Sequence, residues 1–201
     1  MIDDNYFDKL LKIKTSGRDD IDADLKKFPY EPTPYSILER LANTGYINKK
    51  SVLLDYGCGK GRVSIYMTHQ TRCKSIGIDY NERLLNKALD NIKNFKAKNK
   101  ISFINANASD FILPNNINCC YFFNPFSIEI LNDVINRIYN SYVSFNRDIL
   151  LFFYYPSNKY IEYLNNKAFI KKIDEIDCSD IFFNDEKEKI LIYIIKEDMK
   201  S

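Results

Sequence analysis

Along this chain the spacing of apolar residues changes several times, and each change predicts an element. Tyr6, Phe7, Leu10, Leu11 and Ile13 recur at helical spacing and predict a helix over 5–13. Residues 15–28 are polar, hold Gly17 and several Asp, and read as a connector. Thr33-Pro34 predicts a helix start, with Thr as the cap and Pro in the first turn. Ile37, Leu38 and Leu41 then supply an apolar stripe, and Gly45 the stop. Residues 1–50 thus read as an N-terminal helical extension, or lid, ahead of a main fold over 51–201.

From Ser51 onward, short apolar runs alternate with longer amphipathic stretches. Strands are predicted at 52–54, 75–78, 101–104, 119–123, 149–155, 169–176 and 190–195. Helices are predicted at 62–69, 81–97, 128–145 and 158–164; the second places Leu84, Leu85, Ala88, Ile92 and Phe95 on one face. The central strands are continuous apolar runs, the signature of a parallel sheet covered on both sides. The last two strands lack a full helix between them and can pair as a hairpin. That places one antiparallel strand at the end of the sheet. The expected fold is α/β, with seven mostly parallel strands, the last one antiparallel, and helices on both faces.

Composition narrows the class. The chain has 201 residues, 45% of them hydrophobic, enough for one domain with a core. The net charge of +2 is small for a surface that grips many phosphates. Lys93, Lys96, Lys98 and Lys100 form a basic cluster that reads as a solvated helix end. The acidic stretch from Asp174 to Glu188 reads as solvated surface, with reception of a basic protein substrate as the alternative. Five cysteines, with no C-x-x-C pair, argue against a disulfide framework or a zinc site, so no metal is expected. The start lacks the regions of a signal peptide, and no apolar run is long enough for a bilayer. A cytoplasmic protein without a membrane partner is expected.

The chemistry concentrates after the first strand. That strand ends in Asp55, and Gly57, Gly59 and Gly61 follow immediately before a helix. Glycines there permit a sharp turn and close approach of a ligand, and the helix start presents free N–H groups. Asp79 follows Gly61 by eighteen positions, at the end of the second strand, where a carboxylate can accept from both hydroxyls of a ribose. Tyr80 is placed to cover an adenine face. The alternative is that the glycines only make a tight strand-to-helix turn. Cys58 lies in the loop, but the single histidine, His69, reads as a surface or packing residue of the next helix, so a thiol–imidazole pair is not expected.

These residues resemble a family. Val52-Leu53-Leu54-Asp55-Tyr56-Gly57-Cys58-Gly59-Lys60-Gly61-Arg62 is similar to the first motif of Rossmann-like class I S-adenosylmethionine-dependent methyltransferases. Gly77-Ile78-Asp79 resembles their ribose-binding motif. Asn105-Ala106-Asn107-Ala108 stands where the family often has Gly-Asp-Ala, and Phe123-Asn124-Pro125-Phe126 matches the motif after the fourth strand. The resemblance covers roughly residues 33 to 155. It implies S-adenosylmethionine as cofactor, held by Asp55, Gly57, Cys58, Gly59, Gly61, Arg62, Asp79, Tyr80, Asn107, Ala108 and Asn124. It implies catalytic roles for Asn124, Pro125 and Phe126: the Asn oxygen and a carbonyl accept from an amine, and the ring stacks on it. The alternative for these three is an ordinary strand end. Tyr30 and Thr33, in the proline-stiffened segment 28–35, are candidates for a lid over cofactor or substrate, or else belong to a rigid linker.

An amine acceptor, on a protein side chain or a small molecule, fits this pattern better than a nucleic acid. A binding protein without catalysis remains the reading from a different class.

Overall fold

Val52-Leu53-Leu54 leads a strand because its apolar side chains are wanted on both faces. Leu53 enters one core and Leu54 the other, and both are fully buried. The same alternation recurs in Tyr121 and Phe122, Phe152 and Phe153, and Ile192 and Tyr193. It is the mark of a sheet covered on both faces. The computed structural model describes residues 4–19, 21 and 30–196. Most of the expected 15–28 connector, with Phe28 and Pro29, lies outside the described residues.

The elements run α1 (Asp4–Leu11), α2 (Tyr35–Asn43), β1 (Val52–Tyr56), α3 (Arg62–Thr71), β2 (Lys74–Asp79), α4 (Glu82–Ile92), β3 (Ile101–Asn105), β4 (Cys119–Phe123), α5 (Ile128–Ser144), β5 (Ile149–Tyr154), α6 (Asn158–Asn165), β6 (Ile170–Asp177) and β7 (Lys189–Ile195). The strands form one seven-stranded sheet in the order β3-β2-β1-β4-β5-β7-β6. All pairs are parallel except those of β7, which runs against both β5 and β6. The reversed strand is therefore last in the chain, as expected. It is not the outermost in the sheet, because the hairpin folds it inward and leaves β6 at the edge. The polar run Lys171 to Glu175 suits that edge, where exposed charges discourage further pairing.

Helices α1, α2 and α3 cover one face, and α5 and α6 the other. Under the second face, Tyr56, Phe122 and Phe153 stand in register across β1, β4 and β5. Their rings stack at 4.9 Å and 4.5 Å, nearly parallel. Each such pair contributes about 0.5–1.5 kcal/mol beyond its buried area. The ladder fixes the relative heights of β1, β4 and β5, the first two of which end at the cleft.

Two local expectations are corrected. Helix α2 starts at Tyr35, with Pro34 at its cap position and no side-chain cap. Thr33 Oγ1 instead shares a hydrogen bond of 3.1 Å with the Tyr121 hydroxyl, so a tertiary partner has displaced the local one. Helix α4 stops at Ile92, and Phe95 reaches the core from the turn beyond it.

Candidate active site

A cleft opens at the carboxyl ends of β1, β2 and β4, where the strand order reverses. It encloses about 1020 Å³, the solvent at its mouth included. Its wall carries Asp55, Gly57, Cys58, Asp79, Tyr80, Asn107 and Ala108 of the expected cofactor residues.

The glycine loop has its shape for stated reasons. Gly57, Gly59 and Gly61 all have positive φ, at 73°, 52° and 84°, where a side chain is strained. The N–H groups of Gly57 and Cys58 both donate to the Ile78 carbonyl, at 2.9 and 3.0 Å, which ties the loop to β2. Gly59 N–H donates to Asp79 Oδ2 at 2.8 Å, and Asn81 N–H to Oδ1 at 2.9 Å. The two bonds fix the Asp79 carboxylate at the cleft wall. A Cβ on Gly61 would lie 2.4 Å from the Phe103 ring, so this glycine admits a packing neighbour. Gly59 and Gly61 shape the loop; neither lines the cleft.

The segment before β1 straps this loop. A Cβ on Gly59 would lie 2.1 Å from the Tyr30 ring, so Tyr30 lies directly on the glycine. The Tyr30 hydroxyl donates to the Thr15 carbonyl, and Lys60 Nζ sits 4.6 Å from its ring centre while donating to the carbonyls of Ser16 and Gly17. Arg62 is the central tie. It is 2% exposed and donates to Thr15 Oγ1 (2.7 Å), the Thr33 carbonyl (3.1 Å) and Ser16 Oγ (3.2 Å). Its plane rests on the Tyr35 ring, and Asp8 lies 3.9 Å away. Arg62 borders the cleft, but its guanidinium is turned to the strap.

Asp8 balances that buried charge. It accepts from Thr15 Oγ1 and the Tyr35 hydroxyl, both at 2.6 Å. Burial alone would raise its pKa, but these bonds, with Arg62, leave it lowered. Asp19 of the strap accepts both Arg83 nitrogens, at 2.7 and 2.8 Å, and Arg83 holds its pKa at about 2. Asp8 and Asp19 were not singled out in the sequence. The signal for Asp8 was a carboxylate on the apolar face of α1, beside Phe7 and three residues before Leu11.

Asp55 is 2% exposed and is served by Ser64, whose hydroxyl lies 3.2 Å from Oδ2. Burial pushes its pKa to about 7, and the neighbouring Asp79 adds to the rise. Tyr56 also lines the cleft, and its hydroxyl is sealed from solvent without a partner among the described residues. A buried carboxylate short of cationic partners and an orphaned hydroxyl fit a ligand with an ammonium group and several polar atoms, such as S-adenosylmethionine. Burial also drives the Cys58 thiol well above its ordinary range, so it is no thiolate nucleophile. His69 is exposed on α3, its ring 6.4 Å from Phe95.

Asn124, Pro125 and Phe126 line the cleft together, and Phe123, Asn124 and Phe126 also line a second one. Asn124 has a φ of 37°. Its amide nitrogen donates to the Tyr155 carbonyl, and its Oδ1 accepts from Ser157 N–H at 3.3 Å. The side chain thus braces the loop after β4 against the turn after β5. The second cleft spans about 1950 Å³, open solvent included, and carries aromatic walls with carboxylates at 31, 129 and 188 and cations at Arg18 and Lys159, Arg18 lying 3.9 Å from Glu31.

The fold and cleft define a class I, Rossmann-like methyltransferase domain. The chain belongs to the family described as "Methyltransferase domain", whose model matches residues 47–175. A protein-lysine N-methyltransferase from Saccharolobus islandicus (strain REY15A) is 28% identical over 80 residues, which is 39% of this chain and 50% of that protein. The match thus spans about half the length of that curated relative. An RNA methyltransferase from Salinibacter ruber, solved with S-adenosyl-L-homocysteine, superposes with a TM-score of 0.63 over 85% of this chain and 97% of its own, at 14% identity. An rRNA methylase from Streptococcus thermophilus superposes at 0.55 over 88% and 100%, at 13% identity. At such identities the two structures share the fold.

Proposed function

We propose that this chain transfers a methyl group from S-adenosylmethionine to an amine, with a protein lysine as the first candidate and a small-molecule amine as the second. One observation carries the reading: the Phe123–Phe126 loop is wall to both the cofactor cleft and the second cleft. A methyl donor in the first and an acceptor in the second would meet across it. The naming of the Saccharolobus relative supports lysine as the acceptor.

The sulfonium cofactor supplies an already activated methyl, so the chain's work is alignment and exclusion of water. Asp79 would hold the ribose, Tyr80 and Asn107 would border the adenine, and Asp55 would receive the cofactor's ammonium. Gly57, Cys58, Gly59, Gly61 and Ala108 shape that site, and Arg62 fixes it to the strap. Asn124 Oδ1 would accept from the incoming amine, beside Pro125 and the Phe126 ring. Residues 1–50 serve as a lid, through Tyr30 and Thr33, on the core of residues 51–201. The five free cysteines suit a reducing, cytoplasmic setting. Among the described residues, no helix is long and apolar enough to cross a membrane.

An RNA acceptor is disfavoured because the second cleft offers three carboxylates against two cations, Arg18 and Lys159, and so no basic surface for phosphates. Incubation with methyl-labelled cofactor and a mixed pool of protein and RNA decides the matter. The expected result is label in protein, released on acid hydrolysis as methyllysine. Label confined to RNA would overturn the amine reading, and no transfer to either polymer would overturn lysine as the acceptor in favour of a small-molecule amine.

A further inference from the structure

The reversed direction of β7 has a consequence at the site. Because β7 runs against β5, its first residues stand at the carboxyl end of β5: Ile190 pairs with Tyr154, and Tyr155 N–H donates to the Lys189 carbonyl at 3.0 Å. The residue before, Glu188, is thereby delivered to the wall of the second cleft, together with Tyr154, Tyr155 and Phe182.

Glu188 is held in place rather than left to roam. The buried Tyr154 hydroxyl donates to its Oε2 at 2.6 Å, and the Tyr154 ring packs 4.6 Å from Phe123, centre to centre. The backbone is fixed too: Cys178 N–H donates to the Glu188 carbonyl at 2.8 Å, and Glu188 N–H to that of Asp185 at 2.9 Å. Among the described residues, no Lys or Arg is paired with Glu188. The charges that act on it most are Asp185, which accepts from the Tyr155 hydroxyl, and Glu31; Arg18, 3.9 Å from Glu31, and Lys159 line the same cleft without pairing with Glu188. Burial, Asp185 and Glu31 together raise its carboxyl above the usual range despite the Tyr154 bond. A carboxylate with no paired cation, beside Asp185 and the Tyr154 and Tyr155 rings, is a seat that a cation improves. Ser127 lines the same cleft, and its Oγ is sealed from solvent without a partner among the described residues.

We infer that Glu188 is a specificity-determining residue: its carboxylate, positioned by Tyr154, receives the cationic head of a lysine side chain entering the second cleft. The inference rests on the proposed lysine reading and adds the residue that selects the charge.

The test uses the full chain and a blocked peptide carrying the lysine that the wild-type protein labels. Glu188→Gln keeps the shape and removes the charge. The expected result is a KM for that peptide raised about tenfold, the weight of one charge-assisted hydrogen bond, with kcat and cofactor affinity within about twofold. Glu188→Asp should recover part of the loss, and Tyr154→Phe should show a smaller rise. A matching peptide with norleucine for lysine should inhibit wild type and Glu188→Gln equally. An unchanged KM in a folded Glu188→Gln protein overturns this inference alone. A wild-type protein that labels no lysine overturns the lysine reading, and this inference with it.

Discussion

The two halves of the sheet are built on different plans. In the half formed by β1, β2 and β3, the functional groups are neighbours in sequence: one loop, one carboxylate at a strand end, one turn. Their geometry follows from backbone rules, such as positive φ at three glycines and N–H groups tied to Ile78. In the half formed by β4, β5 and β7, the groups are assembled from afar. Asn124 is braced by the turn after β5, and Glu188 arrives through a reversed strand. A cofactor common to many reactions is met by a local motif, whereas an acceptor is met by topology and loops. The strap from α1 and α2 joins the halves, since Arg62 reaches back to Thr15 and Thr33, and Thr33 to Tyr121 of β4.

The largest expected effect breaks that strap. Arg62→Ala leaves Asp8 buried without its cation and strips donors from Thr15, Thr33 and Ser16. The loss should be about 3–5 kcal/mol, or a fall in Tm of roughly 10 °C for a chain of this size. Calorimetric unfolding checks it, and an unchanged Tm would show that the strap is ornamental to stability.

Next comes the acceptor half. Asn124→Ala should lower kcat by about 100-fold, as expected when a group aligning the nucleophile is lost, with cofactor affinity nearly intact. Single-turnover kinetics beside a cofactor titration separates the two. Unchanged turnover would remove Asn124 from the mechanism and leave it as the brace between two loops.

A pH effect of comparable size sharpens the cofactor half. Asp55 has its pKa raised to about 7 in the folded chain, against about 3.9 when unfolded. A raised carboxyl favours the folded state below its unfolded pKa, and that advantage is lost as pH rises through the folded value. Without cofactor, Tm should therefore fall by roughly 10 °C between about pH 4 and pH 7. Asp55→Asn, which mimics the protonated acid, should flatten that slope. A wild-type Tm with no slope attributable to position 55 would contradict the burial argument.

How much of this was legible in the sequence follows the same division. Apolar runs placed all seven strands, because strands buried on both faces leave continuous hydrophobic stretches. The glycine loop and Asp79 were readable because strand, turn, helix and spaced acid form one contiguous unit. The cap at Thr33 was misread, since its partner, Tyr121, stands 88 residues away and no local pattern announces it. The place of β7 inside β6 was also hidden: hairpin pairing says which strands touch, not which one sits inward. Glu188 was visible only as part of an acidic stretch, and only the register of β5 with β7 separates it from solvated neighbours.

The central claim is that the cleft beside Asp79 is a site for S-adenosylmethionine. Titration of the ligand-free protein with S-adenosylmethionine and S-adenosylhomocysteine, read by thermal unfolding with NAD and ATP as controls, tests it most directly. At about 100 times the dissociation constant, each of the first two should add roughly 2.7 kcal/mol of stability, and Asp79→Ala should abolish the gain while NAD and ATP do nothing. No gain in a folded wild-type protein, or the same gain in Asp79→Ala, would contradict the account.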